Sequence, residues 1–213
     1  MTTLQSRDAD PAGLPMQTRV GEINSFDEAA RTVEVIFTTG ATVRRRRYVG
    51  WDTAVPFDET LIVSRDAVNM ERLLAGAPAL DSHSMYSTFS QVGVVDAARI
   101  ESGKGLATIR FPSKGVDENA DRMAAMVKER IIRNVSVGYT INEVRVEAPE
   151  KIGEIEKRII TRWTPYEISF VTIPADKDAQ TRAAELELFP FTVTRVADVA
   201  VAAARMRMRS ISR

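Results

Sequence analysis

The alternation of apolar and polar residues along the chain predicts a protein rich in β-strands. Residues 32–38 show the pattern clearly, because Val33, Val35 and Phe37 lie on one face of a strand and the residues between them lie on the other. Patterns of this kind predict about nine strands. They lie at 18–24, 32–38, 42–49, 60–63, 92–100, 105–111, 134–147, 157–164 and 166–173.

Helical periodicity is confined to a few segments. An apolar stripe with acidic residues at its start predicts the clearest helix over 117–132. A second helix is expected from the cap residue Ser64 to Leu74, and a closing helix over 196–208, whereas 50–59 is expected to be a loop. Regular strand–helix alternation is absent. The predicted class is therefore mainly β with flanking helices (α+β), as a barrel or sandwich.

Composition narrows the chemistry that the chain can perform. Its 213 residues contain no cysteine and one histidine, which excludes disulfides, thiolate metal sites, a cysteine nucleophile and any site that needs two histidines. We therefore expect no cofactor and no metal. Lys+Arg and Asp+Glu both number 29, which argues against a general nucleic-acid partner. The start lacks a signal peptide and no segment could span a bilayer, so we expect a cytoplasmic protein without a membrane partner.

Three residues are candidates for chemistry. His83 follows the apolar pair Ala79-Leu80, and an imidazole can take and return a proton near neutral pH. Ser136 lies in a predicted strand two residues before a glycine, and Glu167 is a charge in an otherwise apolar strand. Each also has an ordinary explanation, as a loop histidine, a half-buried strand serine and an outward charge on an edge strand. A glutamate on that strand could orient an imidazole and stabilise its charged form.

The order His83, Ser136, Glu167, with its flanking segments, resembles the prohead (capsid maturation) serine proteases of tailed bacteriophages, which are related in fold to the herpesvirus assemblins. The matching stretches are 80–83 after a helix, Val92-Gly93, Gly105-Leu106, the serine segment 135–139 after an amphipathic helix, and 167–171 with Pro174-Ala175 after it. The resemblance covers residues 16–180.

The resemblance implies an assemblin-like antiparallel β-barrel surrounded by helices, with Ser136 as the nucleophile and His83 as the general base and acid. The third member is expected to be Glu167, with Asp81 as the rival. Assemblins use a second histidine as the third member, and this chain has only one histidine, so that variant is excluded. The implied activity is that of a serine endopeptidase, which cuts the phage capsid protein or its scaffolding segment, and also itself, inside the assembling prohead in the host cytoplasm.

The domain limits and the alternative functions rest on composition together with this resemblance. We expect a flexible lead-in at 1–15, the protease domain at 16–180 and an arginine-rich, partly helical tail at 181–213, which is either removed by self-cleavage or joined to a capsid protein. The alternative is a catalytically inactive scaffold or capsid-assembly protein with the same fold. An esterase is less favoured, because no Gly-x-Ser-x-Gly surrounds Ser136. Assembly into a homo-oligomer is left open. Arg44 to Arg47 are expected to form a solvated strand face or hairpin end, and contact with an acidic scaffold segment is the functional alternative.

Overall fold

The computed structural model describes residues 17–49, 53–151, 153–172 and 192–195. Within them lie ten strands and two α-helices. The elements are β1 (Gln17–Asp27), β2 (Thr32–Thr38), β3 (Val43–Val49), β4 (Thr53–Leu61), α1 (Glu71–Leu74), β5 (Pro78–Asp81), β6 (Gln91–Glu101), β7 (Lys104–Arg110), α2 (Glu118–Lys128), β8 (Asn134–Glu147), β9 (Glu156–Val171) and β10 (Thr192–Arg195). No helix in these residues is long and apolar enough to cross a membrane.

Seven of the strands form a closed barrel. Their order around it is β8, β1, β2, β7, β6, β5 and β9, and the pairing of β8 with β9 closes the ring. All pairs around the ring are antiparallel except β5–β9, which is parallel. Strands β4 and β3 extend the sheet beyond β9, and β10 pairs with β8. The predicted fold class, a β-barrel with flanking helices, is confirmed.

Alternate residues of the strands fill the barrel and form its core. On β2, Val33, Val35 and Phe37 are fully buried, as their alternation predicts. Tyr139 of β8 and Trp163 of β9 meet edge to face, with ring centroids 5.5 Å apart. Each buried side chain of this size stabilises the fold by about 1.5–3 kcal/mol relative to an exposed one. The barrel is therefore a firm support for side chains on its outer face.

The predictions for 50–59 and for 64–74 are wrong, because both segments form main-chain hydrogen bonds with strands. The expected loop 50–59 is instead largely strand β4, and Pro56 is tolerated because β4 pairs with β9 only from Phe57 onward. The expected helix from Ser64 shrinks to α1. The main chain at 67–69 instead bonds to Trp163: Trp163 N–H donates to Ala67 O at 2.9 Å, and Asn69 N–H donates to Trp163 O at 2.9 Å.

Other boundaries also differ. The two strands predicted at 157–164 and 166–173 are one continuous strand, β9, and the helix predicted at 117–132 ends at Lys128. The closing helix predicted at 196–208 lies outside the described residues.

A buried charged cluster joins β1, β3, β4 and β8. The Glu59 carboxylate accepts hydrogen bonds from Arg19 at 3.0 Å, from Arg45 at 2.8 Å and from the Tyr139 hydroxyl at 2.7 Å. Burial alone would raise the pKa of the Glu59 carboxyl, but the charges of Arg45 and Arg19 and the hydrogen bond from Tyr139 outweigh it, and the pKa lies below its ordinary value. Arg45 therefore does not belong to a solvated face. Arg44, its neighbour, does meet the expectation, in an exposed pair with Asp58.

Candidate active site

The histidine lies in a tight turn at the end of β5. Strand β5 runs parallel to β9, with Leu80 opposite Ser169, and the turn follows directly. Ser82 and His83 both adopt left-handed backbone, with φ of 54° and 58°, and Ser84 N–H donates to Asp81 O at 3.2 Å. Left-handed backbone costs a residue other than glycine about 1–2 kcal/mol. Strain of this kind concentrates at functional sites, where the surrounding structure maintains it.

The serine and the glutamate are placed by the register of β8 and β9. Ser136 lies opposite Ser169, and Gly138 lies opposite Glu167. These four residues share one face of the sheet, because directly opposed residues point the same way. The other face of the same stretch carries core residues, namely Val135, Val137, Ile168 and Phe170. Glu167 and Ser169 therefore lie on the same face.

A β-bulge at Tyr166 turns Glu167 toward the serine. On one side of the bulge Glu167 pairs with Gly138, and on the other Pro165 pairs with Tyr139, so Tyr166 has no opposite residue. If Tyr166 instead took a regular place in the ladder, Glu167 would share the face of Pro165 and Trp163, which is the core face. The bulge therefore brings the carboxylate to the face that carries Ser136.

Gly138 provides the room that the carboxylate occupies. A Cβ atom at this position would lie 2.2 Å from Glu167 Oε1 and 3.0 Å from Glu167 Cδ. Any side chain larger than hydrogen would therefore displace the carboxylate. This explains a glycine in the middle of a buried strand, where glycine otherwise weakens the structure.

Glu167 contacts the imidazole of His83. Its Oε1 lies 2.7 Å from His83 Nδ1, and its side chain is almost completely buried. A carboxylate can only accept a hydrogen bond, so Nδ1 carries the proton, and in the neutral ring Nε2 is left as an acceptor. His83 Nε2 and Ser136 Oγ are both buried, and neither has a hydrogen-bond partner among the described residues. The carboxylate thus directs the basic nitrogen of the ring away from itself.

Asp81, the rival third member, is engaged elsewhere. Its Oδ1 accepts from the Ser82 hydroxyl at 2.8 Å, and its Oδ2 lies 3.4 Å from Arg122 Nη2. The structure thus brings Glu167, and not Asp81, to the ring of His83.

Sequence reasoning overlooked a fourth residue, Ser169. Its hydroxyl donates to Glu167 Oε2 at 2.6 Å and accepts from His83 N–H at 3.0 Å. Its position two residues after Glu167 on the same predicted strand could have indicated it, because such residues share a face of the strand. Among the residues that the structure describes, no group of three or more potential metal ligands occurs.

Comparisons with known proteins agree with this picture. The profile of the caudovirus prohead serine protease family matches residues 77–191, a span that includes His83, Ser136 and Glu167. A protein of Halomonas phage phiHAP-1 named "Major capsid protein" is 36% identical over 119 residues, which are 55% of this chain and 19% of that protein. The match thus spans about a fifth of the relative's length. No solved structure matches significantly. Since the family profile covers more than half of the sequence, the chain belongs to the caudovirus prohead serine protease family, as its sequence motifs predict.

Proposed function

We propose that this chain is a serine endopeptidase in which Ser136 is the nucleophile, His83 the general base and acid, and Glu167 the group that orients the imidazole. The observation that carries the proposal is the 2.7 Å contact between Glu167 and His83 Nδ1. It leaves Nε2 as the free basic nitrogen, while Ser136 Oγ also lacks a partner among the described residues. Acyl transfer requires a weak nucleophile and a base that a third group orients. In the structure His83 Nε2 and Ser136 Oγ do not hydrogen-bond to each other, so the proposal expects this contact to form when substrate binds.

The proposed reaction has two halves. Ser136 Oγ attacks the carbonyl carbon of a peptide bond and its proton passes to His83 Nε2, which produces an imidazolium ion that Glu167 stabilises. The C–N bond then breaks, and Nε2 returns the proton to the departing amine. In the second half a water molecule gives a proton to Nε2 and attacks the acyl group, and Ser136 regains its proton as the acid product leaves.

Access to the nucleophile requires a movement. Ser136 is fully buried, whereas the His83 side chain is 24% exposed. A substrate carbonyl therefore reaches Oγ only after the groups that cover it have moved. Binding energy from a protein substrate can drive such an opening, and enzymes commonly complete their site as a substrate binds.

The proposed substrates are the phage capsid protein with its scaffolding segment, and the chain itself. The family supports this proposal, as does the name of the Halomonas phage relative. We place the activity inside the assembling prohead in the host cytoplasm, and assign it to residues 16–180 with 181–213 as a tail. The tail is either cut off by self-cleavage or joins the protease to a capsid protein.

The test is co-expression with the capsid protein of the same phage, followed by intact-mass analysis of both proteins. The parent should cut the capsid protein, and Ser136→Ala and His83→Ala should leave it whole. Ser113→Ala is the control, because it makes the same substitution at an exposed serine in the loop between β7 and α2. Equal processing by the parent and Ser136→Ala would refute the assignment of the nucleophile.

A second candidate is an inactive scaffold or capsid-assembly protein. The observation in its favour is that the relative from the Halomonas phage is named a capsid protein. The same experiment separates the two functions: an intact capsid protein that assembles only in the presence of this chain, whether or not Ser136 is retained, would establish the assembly role.

A further inference from the structure

The hydroxyl of Ser169 joins two parts of the candidate site that are distant in sequence. It donates a short hydrogen bond of 2.6 Å to Glu167 Oε2, and it accepts one of 3.0 Å from the backbone N–H of His83. Ser169 itself is fully buried. One side chain therefore holds both the carboxylate on β9 and the strained turn that follows β5.

We propose that Ser169 is a positioning residue, which fixes the orientation of the His83 imidazole by holding Glu167 and the main chain of His83 at the same time. The role rests on the proposed function, since it matters for catalysis only if His83 is the base. The Ser169 hydroxyl bonds Glu167 and the main chain of His83, and so it acts on the imidazole only through them.

Each of the two hydrogen bonds has its own physical effect. The bond to Glu167 supplies a donor to a buried carboxylate oxygen that does not face the imidazole, and buried charges require such donors. The carboxylate is then fixed with Oε1 toward Nδ1. The bond from His83 N–H gives an acceptor to the amide of a residue with φ of 58°. Without it, a partly buried donor in an already strained turn would lose its acceptor.

Ser169 is not a second nucleophile. Its proton is directed at Glu167, and its contact with His83 is to the backbone and not to the ring. Ser136, directly opposite on β8, is the serine whose Oγ lacks a partner among the described residues. The two opposed serines thus have different roles in the proposal, one as nucleophile and one as support.

The test measures which nitrogen of the His83 imidazole carries the proton. His83 is the only histidine in the sequence, so in untagged protein with ¹⁵N-labelled histidine every ring signal belongs to it. The samples carry Ser136→Ala, which prevents self-cleavage. With Ser169 present, the neutral ring should carry its proton on Nδ1. Ser169→Ala should shift the tautomer equilibrium toward Nε2 protonation and weaken the Nδ1–H signal, whereas Ser90→Ala should change neither. Ser90 is the matched control because its hydroxyl bonds Ser84 in the loop after His83.

Activity provides the second measurement, with Ser136 restored. Ser169→Ala should lower kcat by roughly tenfold to a hundredfold, the usual effect of removing a hydrogen bond to a buried charge, with KM little changed. If Ser169→Ala does not fold, the isosteric pair Ser169→Thr and Ser169→Val makes the same comparison. Only the threonine keeps the hydroxyl, so only it should preserve the Nδ1–H tautomer.

The outcomes separate this proposal from the proposed function. An unchanged tautomer in folded Ser169→Ala, or equal tautomers in the threonine and valine variants, would overturn the positioning role and leave the assignment of Ser136 intact. Conversely, a shifted tautomer in a protein whose cleavage does not depend on Ser136 would support the positioning role and refute the protease mechanism.

Discussion

The substitution Gly138→Ala adds a single methyl group at the point where the carboxylate of Glu167 lies. The new Cβ would be 2.2 Å from Glu167 Oε1, far inside ordinary contact, which begins at 3.4 Å. The atom it meets is the end of a flexible side chain. The fold can therefore accept the methyl if the carboxylate swings away, so the cost should fall on the geometry of the site and not on the barrel.

The size of the effect follows from these distances. Moving Oε1 from 2.2 to 3.4 Å from the new methyl group requires a shift of about 1.2 Å. A shift of that size directed away from His83 would lengthen the 2.7 Å contact with Nδ1 to about 3.9 Å, which is no longer a hydrogen bond. A misplacement of about 1 Å in a catalytic group costs on the order of 10²-fold in rate. The stability cost should stay within about 2.6 kcal/mol, because overpacking costs about 1–3 kcal/mol and replacing glycine offsets about 0.4–1 kcal/mol of it.

The assay is cleavage of the co-expressed capsid protein, with urea unfolding as the measure of stability. Val144→Ala on the same strand is the matched control, because it opens a cavity in the core eight residues from Ser136 and should lower stability without lowering activity. In the double variant Gly138→Ala/Glu167→Ala the loss should equal that of Glu167→Ala alone, since the methyl acts only through the carboxylate. Full activity in a folded Gly138→Ala protein, or additive losses in the double variant, would show that the methyl group does not act by displacing the Glu167 carboxylate.

Three further predictions concern single residues. His83→Ala should remove measurable cleavage, whereas Glu167→Gln should lower kcat by about 10⁴-fold, the effect of losing the orienting carboxylate in other serine proteases; equal losses in kinetic assays would contradict this. Glu59→Gln should destabilise the protein by about 3–5 kcal/mol at neutral pH in urea unfolding. Because the folded pKa of Glu59 lies below its unfolded value, the stability this carboxylate adds is present above the ordinary pKa of about 4.3 and is lost as the pH falls below it, so the parent and the variant should converge in acid. Ser82→Gly should raise stability by about 1 kcal/mol, because glycine adopts a φ of 54° without strain, and a melting temperature no higher than that of the parent would contradict this.

The strands of the barrel can be predicted well from the sequence, because the alternation of apolar and polar residues that marks a strand is a local pattern. Strand β2 and the hairpin of β6 and β7 follow from alternation, and β8 (Asn134–Glu147) has the predicted limits. Around Ser64 the prediction fails because pairing with β9 decides the outcome. The segment from Ser64 has a helical pattern, yet its main chain takes an extended bridge at Val68 opposite Trp163. Propensity is a weak guide where a distant strand offers hydrogen bonds.

The candidate site is only partly visible in the sequence. The residue types and their order, together with the resemblance, indicate His83, Ser136 and Glu167, but three features depend on contacts between distant strands. These are the left-handed turn at His83, the room that Gly138 leaves, and the double hydrogen bond of Ser169. The sequence gives no register for β8 against β9, so it cannot show that Ser169 lies opposite Ser136 or that Gly138 lies opposite Glu167.

The bulge at Tyr166 explains why one strand can serve both the core and the site. Before the bulge, Trp163 and Pro165 pair with the core residues Ile141 and Tyr139, and after it Glu167 pairs with Gly138 on the opposite face. A strict alternation along β9 would place the glutamate in the barrel core, where an unpaired carboxylate is prohibitively costly. By taking Tyr166 out of the alternation, the bulge therefore does two things at once. It keeps Trp163 in the core and moves the carboxylate to the face where a hydroxyl, an imidazole and a glycine accommodate it. The placement of Glu167 is thus a property of the register between two strands. Because Gly138 and Tyr139 are consecutive on β8, deletion of Tyr166 should leave Pro165 opposite Tyr139 and Glu167 opposite Gly138, and should keep the contact with His83.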